Sequence, residues 1–438
     1  METLPASGVA EGPDARGKLP PLYVAEDGHQ WSEAEYLRDP LLFYLNPYRQ
    51  LGPLFRINFG GEDSWVMAGP EANDLVIRNR SLWRYAEAHS FAKRYAPREM
   101  FTLDGEEHRL ARNIYTPGFR VDVVEKQTDR MRQTLVSLLE SLEGQEVDLK
   151  DFLSLSFFQL TRAALGLPLP DELFEEALGA EQLILEGFRE DKDDVKRNLF
   201  IEKFERVSQG VGECLRSGSI DETGMMGPIL AGPRDGDPAF RHQLAIFFLA
   251  GPVNGAHTIL WTLLFLQAYP EWLERARREA TRGTALEHGD LYAALLEAER
   301  LRPPISMEVR VTGEDFTFAG YDVPKGTRLL HPITLVHFLD EVYERPFEFL
   351  PERHADISHS AAVHATFGMG PHRCVGLPLA RQQSLVTLAE LVRNWEIEML
   401  FEPSLSYVFR DSVTPDLERL PARIARASCR TQAEVSDS

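Results

Sequence analysis

The sequence predicts a mainly α protein with small β-sheets, an α+β class, on three observations. A long apolar helical run spans 238–268, other helical segments flank it on both sides, and short stretches that read as strands lie towards each end of the chain. Taken in order, 53–60 and 63–68 alternate as short strands. Helices then open at Pro70, Glu106, Val121, Leu149 and Asp171, mostly on the proline or acidic residues that suit a first turn. After the apolar helix come helices from Pro270 and Asp290, the second with Leu291, Leu295 and Leu296 at helical spacing. Strands near Val309 and Arg328, a helix beginning near Val375, and strands at Ile397 and Ser406 complete the expected order.

A chain of 438 residues with 43% hydrophobic content can bury a large core. One domain is expected over 19–428, between mobile tails at 1–18 and 429–438 that are too polar and flexible in composition to pack. No apolar run near the N-terminus has the length of a membrane span and no signal-peptide pattern is present, so a cytoplasmic protein with no membrane anchor is expected. The net charge of −21 argues against nucleic acid and anionic lipid as partners. Three scattered cysteines, Cys214, Cys374 and Cys429, are too few for a disulfide framework or a zinc site and fit a reducing compartment.

Cys374 lies in Phe367-Gly-Met-Gly-Pro-His-Arg-Cys-Val-Gly376. A thiolate that binds a metal needs backbone N–H groups aimed at sulfur, positive potential to lower its pKa, and little bulk around it. Gly368, Gly370 and Gly376 allow a tight loop, the following helix presents its positive end, and His372 and Arg373 add charge. The arrangement Phe-x-x-Gly-x-His-x-Cys-x-Gly resembles the haem-binding signature of the cytochrome P450 family. The resemblance implies the P450 fold, haem b (iron-protoporphyrin IX) as cofactor, Cys374 as proximal iron ligand, and Phe367 as its shield.

Three further segments match that family in the same order. Glu297 and Arg300, followed by Pro303-Pro304, and Arg353 in Phe349-Leu-Pro-Glu-Arg match its Glu-Arg-Arg triad. Glu299 and Arg302 repeat the Glu-x-x-Arg spacing, but the Pro-Pro pair falls at the family distance only from Glu297 and Arg300. His108 and Arg112, one helical turn apart and followed by Phe119, match cations that bind the haem carboxylates, and Arg310 matches a third. The resemblance also implies an electron donor of the ferredoxin or flavodoxin kind with its reductase. Arg109, Arg112, Arg120, His372, Arg373 and Arg381 would come together as its docking patch.

The apolar helix departs from the family. Its centre reads Leu249-Ala250-Gly251-Pro252-Val253-Asn254-Gly255-Ala256-His257-Thr258. Aligning Ala250-Gly251 with the family's Ala-Gly-x-acid-Thr pattern places Val253 at the acid and Asn254 at the alcohol. Val253 cannot carry a proton, and Asn254 can only donate and accept hydrogen bonds. Pro252 removes a backbone donor and should bend the helix. A rival register places His257-Thr258 there instead, as in sterol 14α-demethylases. The spacing of Asn254 to Trp261 resembles cholesterol 7α-hydroxylases and prostacyclin synthases. His257 is open to two readings, a proton relay through water and a satisfied core histidine.

The substrate pocket is expected to include Phe247, Phe248, Ala250, Ile305, Met307 and Val408, an apolar lining suited to a terpenoid, steroid or fatty acyl chain. Basic residues between Trp83 and Met100, among them Arg84, Lys93, Arg94 and Arg98, allow a carboxylate on that substrate. The expected activity is a monooxygenase that hydroxylates a lipophilic small molecule with O2 and external electrons. The alternatives are an electron-independent isomerase or dehydratase of a peroxide, and a haem-based sensor without turnover.

Overall fold

The computed structural model describes residues 19–24, 39, 42–59, 62–88, 99–185, 194–232, 238–282, 289–355, 360, 362–405 and 419–427. Both expected tails and the strand expected at Ser406 lie outside them. The helices are α1 (Leu45–Leu51), α2 (Pro70–Arg78), α3 (Tyr85–Ala88), α4 (Gly105–Tyr115), α5 (Val121–Glu125), α6 (Thr128–Ser141) and α7 (Leu149–Leu165). They continue with α8 (Leu173–Leu185), α9 (Asp194–Ser217), α10 (Met226–Leu230), α11 (Pro238–Ala268), α12 (Pro270–Arg282), α13 (Asp290–Leu301) and α14 (Leu377–Asn394). The strands are β1 (Leu22–Tyr23), β2 (Leu54–Phe59), β3 (Glu62–Met67), β4 (Trp83–Arg84), β5 (Glu146–Asp148) and β6 (Glu308–Thr312). β7 (Phe316–Phe318), β8 (Tyr321–Val323), β9 (Arg328–His331), β10 (Trp395–Met399) and β11 (Pro421–Arg426) follow.

Alternation over 53–68 produces the expected hairpin, with Leu54 opposite Met67 and Ile57 opposite Ser64. It enters a six-stranded sheet of order β1-β2-β3-β9-β6-β4, where β6 and β9 run antiparallel and β9 joins β3 in parallel. β10, β11 and β5 form a second sheet, and β7 with β8 a third. The fold is mainly α with small sheets. α6 and α9 were not foreseen: each carries polar residues over much of its length, which weakens the apolar pattern that marks a helix in sequence. α14 starts at Leu377, two residues later than expected, because a single helical turn over Gly370–His372 precedes it.

α11 is long and apolar enough to cross a membrane, but most of it is buried inside the protein, as suits a core helix. It packs on α7, α9, α13 and α14. Gly255 allows the closest of these approaches, since a Cβ there would lie 2.2 Å from the Phe157 ring of α7. One hydrophobic cluster runs from Phe43 to Ile424, and a smaller one lies against the large sheet around Leu54, Met67, Leu329 and Met369.

α13 is anchored by charge. Glu297 and Arg300 are both completely buried, whereas a helical i,i+3 pair is ordinarily solvated. Arg300 donates to both Glu297 oxygens at 2.9 and 2.8 Å, and to the carbonyls of His337 and Pro346 at 2.7 Å each. Arg353 Nε donates to Glu297 Oε1 at 3.1 Å and its other nitrogens to the carbonyls of Glu344 and Arg345. The Leu350 N–H reaches Glu297 Oε1 at 3.0 Å, and His354 Nε2 reaches Oε2 at 2.8 Å. A carboxylate only accepts, so His354 carries its proton on Nε2 and donates. Burial alone would raise the Glu297 carboxyl; the bonds from Arg300 and His354 outweigh it and hold the group at about 2. The network ties α13 to the loops of 335–355, which lead into the cysteine segment.

A carboxyl depressed in the folded state stabilises it above the unfolded value and loses that contribution as pH falls towards the folded one. The Glu297 contribution is therefore complete above about pH 5 and is lost as pH falls from 4.5 towards 2. Glu297→Gln is expected to remove about 3 kcal/mol from the acid limb of the stability curve and to cost roughly 3–5 kcal/mol at neutral pH. Urea midpoints measured across the acid range check both, and an unchanged acid limb would exclude the role.

Candidate active site

The cysteine segment is shaped by two left-handed glycines, Gly368 at φ +67° and Gly370 at φ +68°. At Gly368 bulk is excluded as well: a Cβ would lie 2.7 Å from Glu308 Oε1. The turn over Gly370–His372 follows, and the Cys374 N–H then donates to the Phe367 carbonyl at 2.9 Å. The sulfur accepts backbone N–H bonds from Gly376 and Leu377 at the start of α14. A Cβ on Gly376 would sit 3.6 Å from that sulfur, so bare backbone passes beside it. Cys374 has accessible surface although protein surrounds it in depth, and both hold for a side chain that faces an internal cleft.

Burial pushes the Cys374 thiol up, against the Gly376 N–H, Arg112, the Leu377 N–H and Arg373, which favour the thiolate. The protein's own charges thus fall short of the depressed value expected from sequence. A metal cation held by Cys374 would supply what those charges lack, because coordination removes a thiol proton. The N–H donors, the close glycines and the neighbouring arginines fit a sulfur built to bind such a metal.

The cations expected for haem carboxylates gather beside this loop. The His108 ring lies 3.9 Å from that of His372, which in turn stacks on Tyr85 at 4.2 Å. Asp104 accepts the N–H groups of Tyr85 and Ala86 at 2.8 and 3.1 Å, and its carboxylate is 3.5 Å from His372 Nε2. Burial, helped by His372 and Arg112, lowers His108 to about 4, so at neutral pH it is uncharged. Arg112 is half-buried and electrostatically coupled to Cys374. Arg310 is 2% exposed, paired with Glu308, and donates from Nε to His331 Nδ1 at 3.1 Å. His331 Nε2 then bonds Asn73 Oδ1 at 2.9 Å, which fixes its neutral tautomer. Crowded histidine and arginine donors of this kind suit a ligand that carries carboxylates.

Tyr85, Asp104, Glu308 and His331 were not singled out from the sequence. Glu308 had a usable signal: it stands two residues from Arg310 on β6, and alternate strand residues share a face. The others come from distant segments and had none.

On α11, Phe247, Ala250, Gly251 and Asn254 recur at helical spacing and are half-buried or exposed in a helix that is mostly buried. A Cβ on Gly251 would meet nothing within 4 Å, so this stripe faces open space. Asn254 Nδ2 donates to the Ala250 carbonyl at 2.6 Å, while its Oδ1 is buried with no partner among the described residues. α11 continues through Pro252, which has no N–H to offer the Phe248 carbonyl. Val253 is half-buried beside it. His257 is 6% exposed, and its Nε2 lies 3.1 Å from the Arg302 carbonyl at the end of α13.

Of the expected pocket residues, Ile305 is 37% exposed and Met307 is half-buried. Phe247 packs on Phe119 and Tyr115. Phe248 is 1% exposed and packs on Phe158, which places it in the core and not on the open stripe. Val408, Lys93, Arg94 and Arg98 lie outside the described residues; Arg84 donates to the carbonyls of Ser81 and Trp83. The expected docking cations are largely paired, Arg109 with Glu106, Arg120 with Asp122 and Arg381 with Glu299, while Arg373 is exposed.

Gly368→Ala combines an unfavourable φ with a clash against Glu308. It should cost roughly 1–3 kcal/mol of stability and reduce haem uptake on reconstitution. Thermal unfolding together with pigment content checks this, and a variant equal to the parent in both would remove the close approach from the account.

The Cytochrome P450 family model matches residues 33–199 and 236–407. Sterol 14-demethylase of Arabidopsis thaliana is 24% identical over 426 residues, covering 87% of this chain and 86% of the relative. Cyclooctat-9-en-7-ol 5-monooxygenase of Streptomyces melanosporofaciens is 23% identical over 395 residues, covering 82% of this chain and 85% of the relative. A solved cyanobacterial P450 with retinoic acid bound superposes with a TM-score of 0.76 at 20% identity, over 93% of this chain and 99% of that one. The family match over most of the chain and the shared fold lead to one assignment: the chain belongs to the cytochrome P450 family, the haem-thiolate monooxygenases.

Proposed function

We propose that this enzyme hydroxylates a lipophilic small molecule of terpenoid, steroid or fatty acyl type, working in the cytoplasm. Its haem b, held through Cys374, would activate O2 with electrons passed from a ferredoxin or flavodoxin and its reductase. His108, Arg112, Arg310 and His372 would bind the haem carboxylates, and a charged ligand there would turn His108 from neutral donor to cation.

The observation that carries the reading is the pairing of a backbone-cradled sulfur on one segment with an open stripe on α11 whose one unsatisfied buried polar atom is Asn254 Oδ1 among that stripe's described residues. A buried oxygen of this kind recruits water, and a water held there can pass protons to the reacting centre in place of the family's acid and alcohol. His257 is engaged by the Arg302 carbonyl, so proton management rests on Asn254 and ordered water, with His257 holding α11 to α13. The apolar stripe of Phe247 and Ala250, with Ile305 and Met307, favours an apolar substrate. The sterol and cyclooctat-9-en-7-ol named for the two relatives are of the same apolar kind.

Two measurements test this. The reduced, carbon-monoxide-treated protein should show the absorption band from which the family takes its name, and Cys374→Ser should abolish it. With a generic ferredoxin pair and a lipophilic library, reduced nicotinamide should be consumed with oxygen and product formed. Rearrangement of a peroxide without reductant would replace the monooxygenase reading by the isomerase one. Asn254→Ala is expected to raise the reductant consumed per product several-fold, roughly 1 kcal/mol in partitioning; unchanged coupling would remove Asn254 from proton delivery.

A further inference from the structure

Arg381 belongs by sequence to the basic face expected to meet an electron donor, but its side chain is turned inward. It lies near the start of α14, bonded through Nη1 to Glu299 Oε1, with side-chain exposures of 13% for the arginine and 3% for the glutamate. Its guanidinium carbon stands 4.8 Å over the Phe367 ring and 5.8 Å over that of Tyr292. The Phe367 carbonyl is the acceptor of the Cys374 N–H at 2.9 Å.

Glu299 follows Glu297 by two residues on α13, about 200° round the helix. The two carboxylates therefore leave α13 on opposite sides, Glu297 towards 335–355 and Glu299 towards α14. A histidine bridge joins the sides. His337 Nδ1–H donates to the Arg300 carbonyl at 3.0 Å, its Nε2 accepts the Ala365 N–H at 3.1 Å, and its ring stacks on His364 at 5.5 Å. His364 Nε2 lies 3.8 Å from Glu299 Oε2.

We propose that Glu299 and Arg381 form a second buried latch that sets the geometry of the cysteine loop, with Arg381 as the positioning residue. The pair holds the guanidinium over the Phe367 ring, and so fixes that residue and the carbonyl that orients the Cys374 backbone. Because Glu299 neutralises Arg381, the latch works by position and leaves little net field at the sulfur. Arginine suits the place, since its broad, weakly hydrated cation meets the carboxylate and the ring together, whereas a compact, strongly hydrated ammonium does so less well. The inference rests on Cys374 being the iron ligand.

The test uses the haem-loaded protein and its Arg381→Met, Arg381→Lys and Glu299→Gln variants, with the Glu299→Gln/Arg381→Met double. The readouts are the iron midpoint potential, the carbon monoxide spectrum of the reduced form and thermal unfolding. Arg381→Met should shift the potential and convert part of the thiolate-type band to the thiol type. Arg381→Lys should recover stability but not the spectrum, and the double variant should match Arg381→Met alone, showing one coupled unit. Should Arg381→Met fail to load haem, Glu299→Gln carries the same expectation. Potential and spectrum equal to the parent would overturn the latch, as would an effect confined to the rate with the electron donor, which would return Arg381 to docking. A parent protein without the thiolate-type band would instead sink the assignment of Cys374.

Discussion

The site depends on one buried carboxylate. Glu297 collects donors from its own helix through Arg300, from the neighbouring loop through Arg353 and His354, and from the backbone of Leu350. A lone carboxylate at that depth would protonate or be expelled to solvent; surrounded by these donors it stays ionised and rigid. Arg300 spends its remaining N–H groups on the carbonyls of His337, Pro346 and Glu348, so irregular backbone is held with helix-like precision by hydrogen bonds that no regular element supplies. The cysteine segment is suspended from that backbone. Its sulfur can stay in place without a strand or helix of its own because the loops leading into it cannot relax.

The surroundings of the sulfur and the open stripe of α11 are built on different principles. On the sulfur side, polar groups are dense and mutually satisfied: His108, His372 and Tyr85 stack, Asp104 ties the stack to α3, and Arg310 is preset by Glu308 and His331. The open stripe of α11 is apolar and sparse instead. There Gly251 leaves space, Ala250 gives a smooth wall, and Asn254 supplies a single polar oxygen. A dense, fixed electrostatic half beside an open apolar half suits chemistry in which the protein holds a reactive group rigidly and lets an oily substrate approach it.

Next to Val253 and Asn254, which the register of Ala250-Gly251 would set in place of the family's acid and alcohol, stands Pro252. Proline deprives the Phe248 carbonyl of its helical donor, and Asn254 bonds the Ala250 carbonyl with its own amide, as Thr258 and Thr262 bond the carbonyls of Asn254 and Thr258. Side chains thus supplement backbone bonding through the centre of α11, and the helix passes the proline without interruption. The same amide serves the helix with its nitrogen and keeps its oxygen buried without a partner among the described residues.

The amino-acid sequence by itself determined the elements whose signal is local. The hairpin of β2 and β3 follows from alternation, α11 from an unbroken apolar run between Pro238 and Ala268, and the cysteine loop from glycines and cations packed into ten residues. Glu297, Arg300 and Arg353 were also legible, since their spacing to Pro303-Pro304 singled out one register. What only the tertiary structure decided is how groups far apart in the chain are paired. His354 joins Glu297, Arg381 turns inward to Glu299, His257 faces the Arg302 carbonyl, and Phe248 packs in the core on Phe158 while Phe247 packs on Phe119 and Tyr115. Each outcome depends on which neighbour burial brings within about 3–4 Å, a quantity set by the packing of whole helices that no single stretch of sequence encodes.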